Sequence, residues 1–106
     1  MKRIFTLTMF LLYCLTFSQV GINNTAPKAT LDITAQSPSG TATTVDGLIV
    51  PRVDRQRAQS MTSVPTSTII YVNSIATGTQ TGIAVNIDAV GLYLYNGTVW
   101  EKVGGA

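Results

Sequence analysis

Hydrophobic and polar residues alternate in short stretches of this chain, at the two-residue period of β-strands. The clearest stretch runs from Lys28 to Gln36 and follows Pro27, a residue that suits the first position of a strand. Its apolar positions share one side: Ala29, Leu31, Ile33 and Ala35. This pattern predicts a half-buried strand.

Three further stretches predict strands: Gly47 to Val53, Thr68 to Asn73 and Gly82 to Ile87. Pro51 weakens the first of them towards its end, because proline has no N–H for a strand ladder. The second is apolar on both faces, and the third has the weakest pattern.

One short helix is expected over DRQRAQSM, from Asp54 to Met61. The Asp54 carboxylate can accept backbone N–H bonds at the helix start and places negative charge at the positive end of the helix. Pro51 and Arg52 lie at the corner between strand and helix, and we expect Arg52 to have a structural role there.

The strongest local signal is Asn96-Gly97, which stands between the β-prone stretches 91–95 and 98–103. Asn-Gly favours a two-residue type I′ hairpin, because both turn positions need a positive φ. Such a turn pairs Tyr95 with Thr98, Leu94 with Val99, Tyr93 with Trp100, and Leu92 with Glu101. One face then carries Tyr93, Tyr95 and Trp100, and the other carries Leu92, Leu94 and Val99.

The elements together predict an all-β fold of about five short strands with a C-terminal β-hairpin and one short helix. A sheet with one wet face should alternate apolar and polar residues, yet the hairpin and the 68–73 strand are apolar on both faces. Short loops and the helix can cover the second face, or another subunit can. We favour a second subunit, because a domain this small has a small hydrophobic core and, without cysteines, no disulfides to stabilise it.

The N-terminus has the pattern of a secretory signal peptide. Lys2 and Arg3 precede an apolar run from Ile4 to Phe17, which is too short to cross a bilayer core of about 30 Å. Small residues before Gln19 predict cleavage between Ser18 and Gln19. An uncleaved anchor is the alternative.

This pattern predicts a signal peptide at 1–18 and a single small β-rich module at 19–106, with no membrane span after cleavage. The expected location is extracellular or on the cell surface. A lipid anchor at Cys14 is disfavoured, because Tyr13 stands where a small residue is needed.

Charge and composition exclude several functions once the signal peptide is set aside. The net charge of +2 is carried by Lys2 and Arg3, so the module is neutral and a nucleic-acid-binding role is unsupported. The module has no His and no Cys, because Cys14, the only Cys in the sequence, lies in the predicted signal peptide. Thiol and imidazole chemistry, disulfides and nearly all zinc or iron sites are therefore excluded. We expect no catalytic residues, no metal and no cofactor.

Two sets of motifs resemble known protein families. VGINNTAPKATLDI, residues 20–33, is similar to the mature start of many exported Bacteroidota proteins. GLIVPRVDRQRAQSM, TIIYVN and GLYLYNGTVWEKV resemble a module of phage tail-fibre-like and surface-fibre-like proteins. The residues on that pattern are Pro51, Arg52, Arg57, Tyr71, Asn96, Gly97 and Trp100, and Asp54 keeps a capping function where the module usually has Thr.

The resemblance implies a structural module that associates with like chains, often as trimers. Our leading hypothesis is a non-catalytic, exported structural or adhesion-type module that acts through homo-oligomeric β packing. The alternative is a small secreted carbohydrate-binding module that stacks surface glycans on its aromatic hairpin face. The candidate binding or interface residues are Tyr71, Tyr93, Tyr95 and Trp100.

The same aromatic side chains can instead fill the core or a subunit interface, which we favour over sugar stacking. Arg52, Arg55 and Arg57 form a small basic cluster that can bind phosphate or an acidic glycan. A solvated helix face with local ion pairs is the favoured interpretation of that cluster.

Overall fold

A computed structural model describes residues 19–104, and the chain divides into two compact units between Gly47 and Leu48. The predicted signal peptide lies outside the described residues, so the cleavage between Ser18 and Gln19 stays a prediction. Among residues 19–104 we find no helix with the length and hydrophobicity to cross a bilayer.

The first unit contains a parallel pair of three-residue strands, β1 (Val20–Ile22) and β2 (Leu31–Ile33). Strand β2 is much shorter than the predicted 28–36 stretch. Its polar residue, Asp32, accepts hydrogen bonds from the Lys28 N–H and the Asn24 side-chain amide, each at 2.8 Å. Because the Lys28 N–H is bound within the turn, it is not available for a strand ladder.

A carboxylate also organises the loop after β2. Asp46 accepts the backbone N–H groups of Gln36 and Ser37 at 2.8 and 2.9 Å, which lower the pKa of Asp46 from its ordinary value of 3.8. The two N–H groups therefore point into the loop rather than along a ladder, and this ends the strand before Gln36.

The second unit is built on a four-stranded sheet with the order β3-β4-β5-β6. The strands are β3 (Arg52–Asp54), β4 (Ile69–Ser74), β5 (Gly91–Tyr95) and β6 (Trp100–Lys102). Strand β3 runs parallel to β4, and the other neighbours are antiparallel. A helix, α1 (Arg55–Ser60), follows β3, and a 3₁₀ turn spans Gly82–Ala84. The all-β prediction with one short helix and a C-terminal hairpin is confirmed.

Helix α1 begins where the sequence predicted. The Asp54 carboxylate caps it by accepting the Arg57 backbone N–H at 2.7 Å. The cap satisfies one of the N–H groups that have no partner inside the helix.

Two predicted strands are wrong in whole or in part. Residues 47–50 form no strand, and pairing begins at Pro51, whose carbonyl accepts the Tyr71 N–H at 2.9 Å. The predicted strand 82–87 is instead the 3₁₀ turn. Gly82 has a φ of +60°, and the Val85 N–H returns to the Gly82 carbonyl at 3.2 Å, which favours a turn over an extended chain.

The hairpin forms between β5 and β6, but its predicted register is wrong by two residues. Tyr95 pairs with Trp100 across a four-residue loop, not with Thr98. The Asn96 side-chain oxygen accepts the N–H groups of Thr98 and Val99, both at 2.9 Å. Gly97 has a φ of +100° while Asn96 does not adopt positive φ, so a type I′ turn is excluded. Because the shift is two residues, the side chains within β5 and β6 stay on their predicted faces, while Val99 lies in the loop.

The core lies between one face of this sheet, helix α1 and the 3₁₀ turn. Its buried side chains are Ala58, Ile70, Val72, Ala84, Ile87, Tyr93, Tyr95 and Trp100. We call this the inner face of the sheet and the opposite side the outer face.

Candidate oligomerisation surface

The aromatic side chains of the hairpin fill the inner face. Trp100 is fully buried, and its indole N–H donates to the Ala58 carbonyl in α1 at 3.0 Å. Tyr95 contacts Trp100 edge to face, with ring centroids 5.2 Å apart and an interplanar angle of 75°. This geometry is one that aromatic pairs prefer. The indole hydrogen bond to Ala58 joins the hairpin to the helix.

The two buried tyrosines also have their hydroxyl groups bound within the second unit. Tyr93 donates to the Ala89 carbonyl at 2.8 Å, and Tyr95 donates to the Thr98 carbonyl at 3.0 Å. Rings buried in this way present no free face for a sugar. Of the four candidate aromatics, Tyr71 is the exposed one.

Tyr71 belongs to an apolar outer face. The pairing of β4 with β5 places Ile69 beside Leu94 and Tyr71 beside Leu92, all on the side away from Trp100. Ile69 and Tyr71 are 37% and 38% exposed, and the two leucines are partly exposed. The sheet is thus apolar on both faces, as the sequence indicated for the 68–73 strand.

The segment Leu48–Val50 extends this apolar surface beyond the sheet. It borders a shallow cleft of about 460 Å³. The residues that line the cleft are Leu48, Ile49, Val50, Arg52, Ile69, Tyr71 and Leu92. Leu48 and Ile49 are mostly exposed, so the surface presents a contiguous apolar patch to its surroundings. The sequence pattern does not mark these two residues as surface candidates, because it predicts a strand at this position.

Comparison with known families identifies the family of this chain. Residues 20–106 match the model of a family described as a phage tail like trimerisation region. The chain belongs to this family. It is therefore a structural, fibre-like module that forms homo-oligomers. No curated protein and no solved structure matches the chain.

Three residues to which the sequence motifs pointed lie in different surroundings. Arg52 lies on β3 with its side chain exposed beside the apolar cleft. Arg57 is exposed on α1. Gly97 lies close to Thr66, since a Cβ added to it would stand 3.0 Å from the Thr66 hydroxyl.

Arg55 is a structural residue of the trimerisation region that sequence analysis did not identify. Its guanidinium donates to the carbonyls of Ile75, Thr77 and Ile87 at 2.7, 3.1 and 3.1 Å. The side chain therefore joins α1 to two loops. The predicted solvated face with ion pairs is wrong for Arg55, because its partners are backbone carbonyls far along the chain that no local sequence pattern reveals.

One ion pair lies at the end of the sheet. Lys102 Nζ and Asp88 Oδ1 are 2.7 Å apart, and this contact lowers the pKa of Asp88 and raises that of Lys102. Both side chains are solvent-accessible. In the part of the chain from 19 to 104, no group of three or more acidic residues, His or Cys is placed to hold a metal ion.

Proposed function

We propose that the chain is an exported, non-catalytic structural module that forms homotrimers in a fibre-like surface assembly, with the outer face of its four-stranded sheet buried between copies. Two features support export. They are the signal-peptide pattern at the N-terminus and residues 20–33, which resemble the mature start of exported Bacteroidota proteins. The trimer follows the description of the family that matches residues 20–106.

The observation that carries the proposal is the contrast between the two faces of the sheet. The inner face is filled by Trp100, Tyr93 and Val72, while the outer face leaves Ile69 and Tyr71 exposed. Removing apolar surface from water is favourable by about 25 cal/mol per Å², and this gain opposes the freedom that like chains lose when they associate. Loop 37–46, with its Ser and Thr residues, is exposed in the first unit and supplies an adhesion-type surface.

Light scattering coupled to size-exclusion chromatography tests the trimer. The chain is expressed in full, exported and purified, and its mass is measured over a range of concentrations. We expect three protomers, with circular dichroism showing a folded β protein. A folded protein that stays monomeric at every concentration would contradict the proposal.

Mass spectrometry of the same exported material tests the export step. The expected N-terminus is Gln19. A product that keeps Lys2 and Arg3 would show that the segment is not removed.

A further inference from the structure

We propose that the copies associate head to tail in a closed ring, with Arg52 of one copy forming an ion pair with Glu101 of the next across their outer faces. This inference rests on the proposed function and specifies which residues meet between subunits.

The register of the sheet places these two charges on the same face. Arg52 pairs with Tyr71, and Glu101 pairs with Leu94. Tyr71 and Leu94 both belong to the apolar outer face, so the two charged side chains flank it. Arg52 lies on the edge strand β3, and Glu101 lies on the opposite edge strand β6.

Neither charge has a partner within its own copy among residues 19–104. Arg52 and Glu101 are both exposed, and neither has an opposite charge within 4.0 Å, whereas the neighbouring Lys102 pairs with Asp88. The outer face therefore has one unmatched positive edge and one unmatched negative edge.

The strand directions are compatible with a head-to-tail ring, and the number of copies, three, follows from the proposed function. Since β3 is parallel to β4, and β4 and β6 are both antiparallel to β5, the two edge strands run the same way. Copies rotated about an axis along the strands therefore bring the β6 edge of one beside the β3 edge of the next, with equal polarity. A head-to-tail interface of this kind closes into a ring when the rotation is a whole fraction of a turn.

Arg52 and Glu101 lie at different levels along the strand direction, on neighbouring outer-facing positions. That offset is two residues, roughly 7 Å along a strand, which two long side chains can bridge. The pairing also gives direction to the interface, because unlike charges meet only when opposite edges meet.

Charge reversal tests the ring in the protein expressed as the full chain. We expect Arg52→Glu and Glu101→Arg each to place like charges together and to lower the association constant at least about tenfold. The double variant R52E/E101R reverses both edges and should restore association to about the wild-type level. Arg57→Glu, which makes the same change in charge at an exposed site on α1, is the matched control and should leave association unchanged.

Cysteine cross-linking tests the direction independently. In a Cys14→Ser background, a bis-maleimide cross-linker added to an equimolar mixture of Arg52→Cys and Glu101→Cys proteins should join only the two different variants, because the positions are too far apart for a direct disulfide. The protein that carries both Arg52→Cys and Glu101→Cys should yield a covalent trimer. Circular dichroism of each variant confirms that it is folded.

The outcomes separate this inference from the function on which it rests. A wild-type trimer whose single charge-reversal variants associate normally, or whose cross-links join like variants, overturns the ring and leaves the trimer standing. A wild-type monomer overturns both.

Discussion

Replacing Arg55 with methionine removes three hydrogen bonds while keeping a long side chain. The guanidinium binds the carbonyls of Ile75, Thr77 and Ile87, so the substitution detaches two loops from the start of α1. We expect a marked loss of stability without loss of an ion pair.

The magnitude follows from the three bonds and their partial burial. A hydrogen bond to a charged group contributes about 1.5–3 kcal/mol when it is well buried. The three bonds of Arg55 are only partly buried, so water can satisfy some of the released carbonyls, and about 1 kcal/mol each is appropriate. The expected loss in the free energy of unfolding is therefore about 3 kcal/mol.

Urea denaturation followed by tryptophan fluorescence measures this loss. Trp100 is the only Trp and is fully buried beside α1, so its emission reports unfolding of this unit. All variants are compared at equal protomer concentration, because association adds to apparent stability. Arg57→Met, at an exposed position of the same helix, is the control and should change stability by less than about 0.5 kcal/mol. An Arg55→Met protein as stable as this control would refute the stabilising role of these three hydrogen bonds.

Two further predictions concern backbone approach and pH. Gly78 and Gly82 have φ values of +67° and +60°, but a Cβ at Gly78 would stand 2.7 Å from the α1 backbone while one at Gly82 meets open space. Gly82→Ala should cost about 1 kcal/mol from backbone strain, and Gly78→Ala clearly more in the same denaturation assay; equal losses would contradict the close approach. The Asp88–Lys102 pair should stabilise wild type relative to Asp88→Asn above pH 3.8 and below pH 10.5. The difference in melting temperature should disappear as the pH falls through the lowered pKa of Asp88 or rises through the raised pKa of Lys102, and a difference that persists at both extremes would show another cause.

Local signals in the sequence predicted the features that depend on neighbouring residues. The N-cap at Asp54 could be predicted because the carboxylate binds an N–H three residues away. The 68–73 strand could be predicted because its apolar positions occupy both faces. In the hairpin, alternation placed Tyr93 and Trp100 correctly on one face even though the predicted register was wrong.

The features that failed depend on competition or on distance. Asn96 was expected to form a tight turn, but its side chain captures two N–H groups and lengthens the loop. The composition of 82–87 favours a strand, yet Gly82 adopts a positive φ and turns the chain. The role of Arg55 depends on carbonyls up to 32 residues away, and the apolar cleft at Leu48 depends on which strands are neighbours.

The measurement that most directly tests the central claim compares Tyr71→Asp with Val85→Asp in the full chain by light scattering. The two native side chains are similarly exposed, at 38% and 44%, but Tyr71 lies on the outer face of the sheet and Val85 follows the 3₁₀ turn outside it. Circular dichroism confirms that both variants are folded. A charge on the outer face should leave a folded monomer in Tyr71→Asp, while Val85→Asp keeps the mass of three protomers. A Tyr71→Asp protein that remains trimeric would show that the copies meet elsewhere.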